Sequence, residues 1–444
     1  MENSFDSNAQ ATLKRKQVYQ KIWWRIIPLL FICYSVAFID RINIGFTKLQ
    51  MSEALGIDAT WFGVAAGAFF LTYSLCEVPS NLLMAKWGAR RTFFRIMMLW
   101  GLAAAATAFV TNVNQLITLR LLLGAFEAGF LPGIILYLTF WFPSSMRARV
   151  TAVVFVANGV AGSVASPLTG WILTGMDGVL GFAGWQWVFV VEGLPACGLG
   201  VLCFFLLRDR PDDARWLTAE EKAIVKSDLA REAVQDHSTG ALKQVLSNPV
   251  NYLIGYLFFT AGCSNYLLFI WLPTIVQESG VASMVDVGLL SGLALMFCFI
   301  GAIAMSWSSD VLQERRWHLT LCFCLITVGL LASTMTHSLS WRLMWFGAAS
   351  FGTGASAPLI LAIPPGYLSK KAAPVGIAFI STLANIGGFT SQPLLGYIKT
   401  TAGSLTIGVL GIAALGAVGV LCIAFAVPAK AMRVERGAQL VEPV

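Results

Sequence analysis

Apolar residues in this chain come in long runs, with neither strand-like alternation nor one-faced helical stripes. Runs of bilayer-crossing length lie near 22–42, 60–84, 94–112, 116–142, 150–172 and 184–207, and then near 250–277, 285–309, 318–336, 340–365, 373–398 and 404–427. A helix needs roughly 20 apolar residues to cross a bilayer. The pattern therefore predicts an all-α membrane protein of twelve transmembrane helices. Gly and Pro occur throughout these runs, as membrane helices tolerate. The one sizeable polar segment, 208–248, divides the chain into two six-helix, pseudo-symmetric halves, 1–207 and 249–444. Within it, Thr218-Ala219-Glu220-Glu221 reads as a capping box that starts a short helix. A faint repeat, the charged cluster Lys86–Arg91 recurring at Glu314–Arg316, points to two related halves around a central site.

Composition agrees. Of 444 residues, 57% are hydrophobic and 12% charged, where a soluble domain carries about 25% charged residues. This excludes a cytosolic enzyme and a disordered chain. The net charge of +7 is explained by position. Lys14, Arg15, Lys16 and Lys21 precede span one, Lys86, Arg90, Arg91 and Arg95 follow span two, and Arg147 and Arg149 follow span four. The 208–248 segment follows span six, Arg315 and Arg316 span eight, and Lys370 and Lys371 span ten. Lys430, Arg433 and Arg436 close the chain. The alternate loops hold only Lys48, Arg342 and Lys399. Such alternation places both termini in the cytoplasm and leaves no call on nucleic acid. The nine cysteines all fall in apolar runs, so neither a disulfide framework nor a metal site is expected. The 21 polar residues at the start lack the apolar core of a signal peptide. No nucleophile–base constellation, phosphate loop or metal cluster suggests an enzyme, and no cofactor is implied.

A few ionisable residues lie inside spans: Asp40, Arg41, Glu77, Arg120 and Glu127, with Glu192 closer to the outside. Each costs at least ~2.5–3.5 kcal/mol there, and such residues are functional by default. All belong to the first half. The second half offers only neutral polar groups: Asn265, Tyr266, Asn385 and Gln392. Arg120 and Glu127, seven residues apart, lie about 20° from one helix face and ~10 Å apart along the axis. Gly124 between them leaves room for a ligand or a neighbouring helix. Adjacent Asp40 and Arg41 point about 100° apart. Two acids and two arginines at this depth suit proton-coupled handling of an anion, because a guanidinium grips a carboxylate by parallel hydrogen bonds. The alternative is structural ion pairing, Asp40 with Arg120 or Glu127 with Arg41. Glu77, Arg90, Arg91 and Asp310 are candidate gate residues on the cytoplasmic side. Tyr73, Tyr266 and Trp271 lie deep enough to meet a substrate, whereas most tryptophans, Trp141 included, read as interfacial anchors.

The run Asp40-Arg41-Ile42-Asn43-Ile44-Gly45-Phe46 resembles the first-span motif of the anion:cation symporters of the major facilitator superfamily. So do Glu77-Val78-Pro79-Ser80-Asn81-Leu82, Gly88-Ala89-Arg90-Arg91, Arg120 through Gly124, Glu127-Ala128-Gly129, Pro132-Gly133, Gly184–Trp187 and Glu314–His318. Within the family the chain looks closest to bacterial tartrate, phthalate and hydroxyphenylacetate permeases. Where the superfamily motif after span two carries Asp, this chain has Ala85, and where Arg commonly follows Asp310 it has Val311.

The resemblance implies proton-driven uptake of a small organic anion by alternating access, in a bacterial inner membrane. It assigns proton coupling to Asp40 and Glu127 and anion binding to Arg41 and Arg120. Tyr73 and Asn385 match substrate contacts of sugar-acid relatives, and Asn158 matches one more loosely. With Asn265 and Tyr266 these set specificity. The expected partners are the organic anion, protons and the lipid bilayer, with the chain a monomer. A solute-sensing receptor and an organic-acid exporter or antiporter are the alternative functions.

Overall fold

A computed structural model describes residues 2–230, 241–369, 372–428 and 432. Lys370, Lys371, Lys430, Arg433 and Arg436 lie outside these, as do the side chains of Arg149 and Asn158. The first half comprises α1 (Glu2–Leu55), α2 (Ala59–Trp87), α3 (Ala89–Ala106), α4 (Val113–Glu127), α5 (Phe130–Thr139), α6 (Ser144–Gly175) and α7 (Gly184–Leu206). The short helices α8 (Ala219–Ala230) and α9 (Ala241–Ser247) follow. The second half comprises α10 (Pro249–Tyr266), α11 (Leu272–Glu278), α12 (Met284–Leu312), α13 (Arg316–Met335), α14 (Leu339–Leu361), α15 (Ala373–Ala402) and α16 (Thr406–Leu421). Among the described residues, eleven helical segments are long and apolar enough to cross a membrane. The 32-residue α6, at the place of the predicted fifth span, completes twelve.

Side-chain caps start several spans. Asp58 accepts from the Trp61 amide at 2.9 Å and Asn112 from the Gln115 amide at 3.0 Å, supplying donors at helix starts with the acceptors they otherwise lack. Two spans are broken at mid-membrane. The fourth consists of α4 and α5, separated at Gly129 with φ +83°. A Cβ there would stand 2.7 Å from the Ser80 Cβ, so both conformation and space require glycine. The seventh joins α10 to α11 through one π-helical turn, Leu267–Trp271.

Within the first half α3 packs on α7, α2 on α4, and α1 on α6 and α7; in the second, α12 and α13 pack on α14, and α10 on α15. Cys33 and Cys203 meet inside the first bundle, their sulfurs 3.5 Å apart. The halves meet along α2 against α15, α6 against α12, and α1 against the π turn. The close approaches run from the ends away from the amino terminus inward: Ala59 to Gly396, Gly63 to Gln392, Gly67 to Phe389, and Gly170 to Met284. Thr60 and Thr400 add a 2.9 Å hydroxyl bond at the rim. The face away from the amino-terminal end of α1 is closed.

On the opposite side, α8 lies against the start of α1. Arg15 pairs with Asp228 at 2.6 Å, Lys21 with Glu221 at 3.0 Å, and Lys14 with Glu220. Trp216 stacks on Trp141 at 5.7 Å, with the Arg25 guanidinium 5.5 Å from its ring. Trp141 is fully buried. The expected interfacial anchor is therefore a core residue, because α8 and its preceding turn cover it. Trp61, Trp307 and Trp317 are exposed, where span-end anchors belong.

Candidate functional site

The adjacent residues Asp40 and Arg41 turn to different surroundings. Asp40 faces into the first bundle, accepting from the Trp100 indole at 2.8 Å and from Asn43 at 3.2 Å. Arg41 points to the boundary between the halves and pairs with Glu127. Of the two expected pairings, the structure forms Arg41 with Glu127. Asp40 takes neutral partners instead, because α3 brings Trp100 to its face of α1. Arg120 lies within electrostatic reach of Asp40 and Glu127. It is buried, and its guanidinium carbon is 5.6 Å from the Phe69 ring.

The Arg41–Glu127 pair is deeply enclosed. The Glu127 side chain has no exposure and that of Arg41 has 12%. Three polar atoms remain buried without hydrogen-bond partners: Glu127 Oε2, Arg41 Nε and Arg120 Nε. A buried charged group with unfilled valence is costly. Glu127 is the last residue of α4, just ahead of the Gly129 break. Irregular backbone at this depth is tolerated where it lines a cavity or is buried in protein. Aromatic faces complete the surroundings. Arg41 lies 5.3 Å from the Phe69 ring and 5.1 Å from that of Tyr73. From the second half, Tyr266 packs on Phe70 at 4.2 Å and lies within electrostatic reach of Arg41. The structure thus brings Arg41, Glu127, Tyr73 and Tyr266 together across the halves. Gly124 makes room for a helix rather than a ligand, since a Cβ there would strike the Phe69 carbonyl of α2.

The other candidates are spread wider. Asn265 is half-buried beside Tyr266, and Asn385 is half-buried one turn before Gly388, which packs on the Tyr266 ring. The side chain of Asn158 is outside the described residues. Glu77, half-buried one turn beyond Tyr73 on α2, is within electrostatic reach of Arg41. Arg90 is held inside the first half. It donates to the Phe204 carbonyl, its backbone amide donates to Asp209 at 2.9 Å, and a cleft of about 480 Å³ beside it is lined by Arg208, Asp209, Asp213 and Arg215. Arg91 and Asp310 are exposed. Arg315 and Arg316 donate to the Ala362 and Ala424 carbonyls, within the second half. Glu192 is buried and accepts from Thr169 at 2.6 Å, close to Asn43. It joins the Asp40 cluster to α6 and α7.

One residue was misplaced by its position in the sequence. Lys48 was expected among the outer-loop cations, but α1 continues to Leu55 and buries it. Its neighbours are Thr274 and Trp271 of the other half. The seven-residue spacing from Arg41 was the available signal.

The family model of the Major Facilitator Superfamily matches residues 30–392. The chain belongs to that superfamily. It is a multi-pass membrane transporter rather than an enzyme. A putative tartrate transporter of Agrobacterium vitis is 39% identical, over 90% of this chain and 92% of that one. A quinolone resistance transporter of Acinetobacter baumannii is 34% identical, over 88% and 91%. Among solved structures, the D-xylose–proton symporter superposes with a TM-score of 0.74 at 12% identity, over 92% of this chain and 98% of that one. This last likeness is one of fold.

Proposed function

We propose that this transporter carries a small organic carboxylate into a bacterial cell together with protons. The observation that supports this reading best is the buried Arg41–Glu127 pair, with Glu127 Oε2 unpartnered at the seam between the halves. With Glu127 ionised, its charge cancels that of Arg41. When Glu127 takes a proton, the guanidinium is released to grip a carboxylate by its fork of N–H groups. The proton and the anion then favour each other's binding, as symport requires. Asp40 is the second proton site, acting within the same bundle on Arg120. Tyr73, Tyr266, Asn158, Asn265 and Asn385 shape specificity. The halves 1–207 and 249–444 rock about this centre, with 208–248 as the cytoplasmic link and both termini in the cytoplasm. Relatives named for tartrate transport support an organic acid as substrate.

Two acids allow more than one proton per cycle. One proton with a monoanion draws only on the pH gradient, ~1.4 kcal/mol per unit. A second adds ~2.3 kcal/mol per 100 mV of membrane potential. Uptake by proteoliposomes under an imposed pH gradient, with and without a potential, tests the reading. E127Q and D40N are expected to abolish pH-driven accumulation while E127Q retains exchange of carboxylate across the membrane. Pumping undiminished in both variants would overturn the coupling assignment. Export is the second reading, favoured by the relative named for quinolone resistance. It predicts proton-driven loss of solute from loaded right-side-out vesicles, which the import reading excludes.

A further inference from the structure

Lys48 stands seven residues beyond Arg41 on α1, two turns or ~10 Å farther out and about 20° from the same face. Its side chain is 7% exposed. Its ammonium is 4.2 Å from the Trp271 ring, 5.4 Å from that of Phe62 and 3.3 Å from Thr274 Oγ1. Among the described residues no carboxylate lies within ion-pair distance of it. The acid that acts on it electrostatically, Glu278, pairs with Lys399 at 2.7 Å. Trp271 is itself fixed, donating its indole N–H to Gln392 at 2.8 Å and meeting Phe62 edge-on at 5.6 Å.

Two features set this lysine apart from a topology charge. It is a buried cation covered by aromatic faces and a hydroxyl, which soften its desolvation without neutralising it. Its cover comes from both halves, Phe62 from the first and Trp271 and Thr274 from the second. Alternating access requires the outer ends of the halves to separate. Separation strips Trp271 and Thr274 from Lys48 and leaves an uncompensated ammonium above Arg41 on the same helix face.

We propose that Lys48 is the outer docking cation of the transport path. It takes the substrate's carboxylate when the outer side is open and yields it to Arg41 as the halves close. Closure drives the transfer, because Trp271 and Thr274 reoccupy the ammonium's open side. This inference rests on the carboxylate reading above.

The test compares wild type, K48M and K48R in proteoliposomes, with labelled tartrate as probe and a panel of unlabelled mono- and dicarboxylates as competitors or counterflow partners. In K48M the KM measured from the outer face should rise about tenfold, the worth of one charge-assisted contact, while KM from the cytoplasmic face stays within twofold. K48R should recover most of the outer affinity. Outer KM of the wild type should increase with ionic strength through screening, and K48M should lose that dependence. An unchanged outer KM in K48M, or an equal change on both faces, overturns the docking role while leaving the carboxylate reading intact. A wild type that carries none of the panel overturns the carboxylate reading, and this inference with it. If K48M fails to assemble, K48Q takes its place.

Discussion

The carboxylate of Asp40 illustrates how a buried charge is held by neutral groups. Its two hydrogen bonds come from an indole and an amide, and the indole belongs to the fully buried Trp100. Trp100→Phe keeps an aromatic ring but removes the donor and some buried volume. It leaves a carboxylate oxygen unpaired in the bundle, a loss of about 1–3 kcal/mol. The variant is expected to unfold at a lower temperature in detergent, and an unchanged Tm would show that Asp40 is solvated some other way. Arg41 differs in kind. Its guanidinium both pairs with Glu127 and lies over the Phe69 and Tyr73 rings. R41K keeps the charge but loses the planar fork and the stacking surface, so KM for a carboxylate should rise at least about tenfold, read by initial uptake rates. Intramembrane placement of Asp40, Arg41, Arg120 and Glu127 was legible in the sequence, because charged letters interrupt apolar runs. Their partners were only partly so. Two pairings satisfied the spacing, and α3 decided between them by supplying Trp100.

Individual helices carry two kinds of information. Their starts are local. The Thr218–Glu221 capping box forms as the sequence predicts: Glu221 accepts from the Thr218 amide at 2.8 Å and the Thr218 hydroxyl from the Glu221 amide at 3.2 Å. The Thr218 amide, aided by Lys21, holds the Glu221 carboxyl below the usual glutamate range. A depressed folded-state pKa gives stability that is present above the ordinary range and lost as pH falls through the shifted value. Hydrogen exchange in α8, corrected for its intrinsic pH dependence, should accelerate on acidification below that range. In E221Q this carboxylate's share should vanish, leaving α8 less protected at neutral pH. Thr218→Ala should cost about 1 kcal/mol of local stability. The mid-membrane irregularities are less local. Gly129 is visible in the sequence, but its positive φ and the close approach of α2 at Ser80 are not. The π turn before Leu272 had no clear sequence signal. Both sit beside the proposed site, at Glu127 and at Tyr266, and such irregular turns recur at functional sites.

The whole molecule is two bundles closed by glycine-mediated contacts on the side away from the amino-terminal end of α1. At Gly45 a Cβ would stand 2.5 Å from the Ile270 carbonyl oxygen, backbone that cannot move aside cheaply. Gly45→Val should therefore oppose outer closure while leaving each bundle intact. A cysteine at position 60 should be more reactive to membrane-impermeant maleimide from outside in this background than in the wild type, and equal labelling would show that the seam tolerates the branch. The sequence by itself determined the twelve crossings, the two halves and the confinement of the intramembrane ionisable groups to the first half. These follow from solvation alone: apolar runs and unpaired charges are priced residue by residue against lipid and water. Tertiary structure decided what each buried group faces. It gave Arg41 to Glu127 and Asp40 to Trp100, made Trp141 a core residue, and drew Lys48 out of the expected outer loop to rest against Trp271. Such contacts join residues up to 223 positions apart, and they depend on how whole helices rotate and slide when their faces pack, which no local pattern specifies.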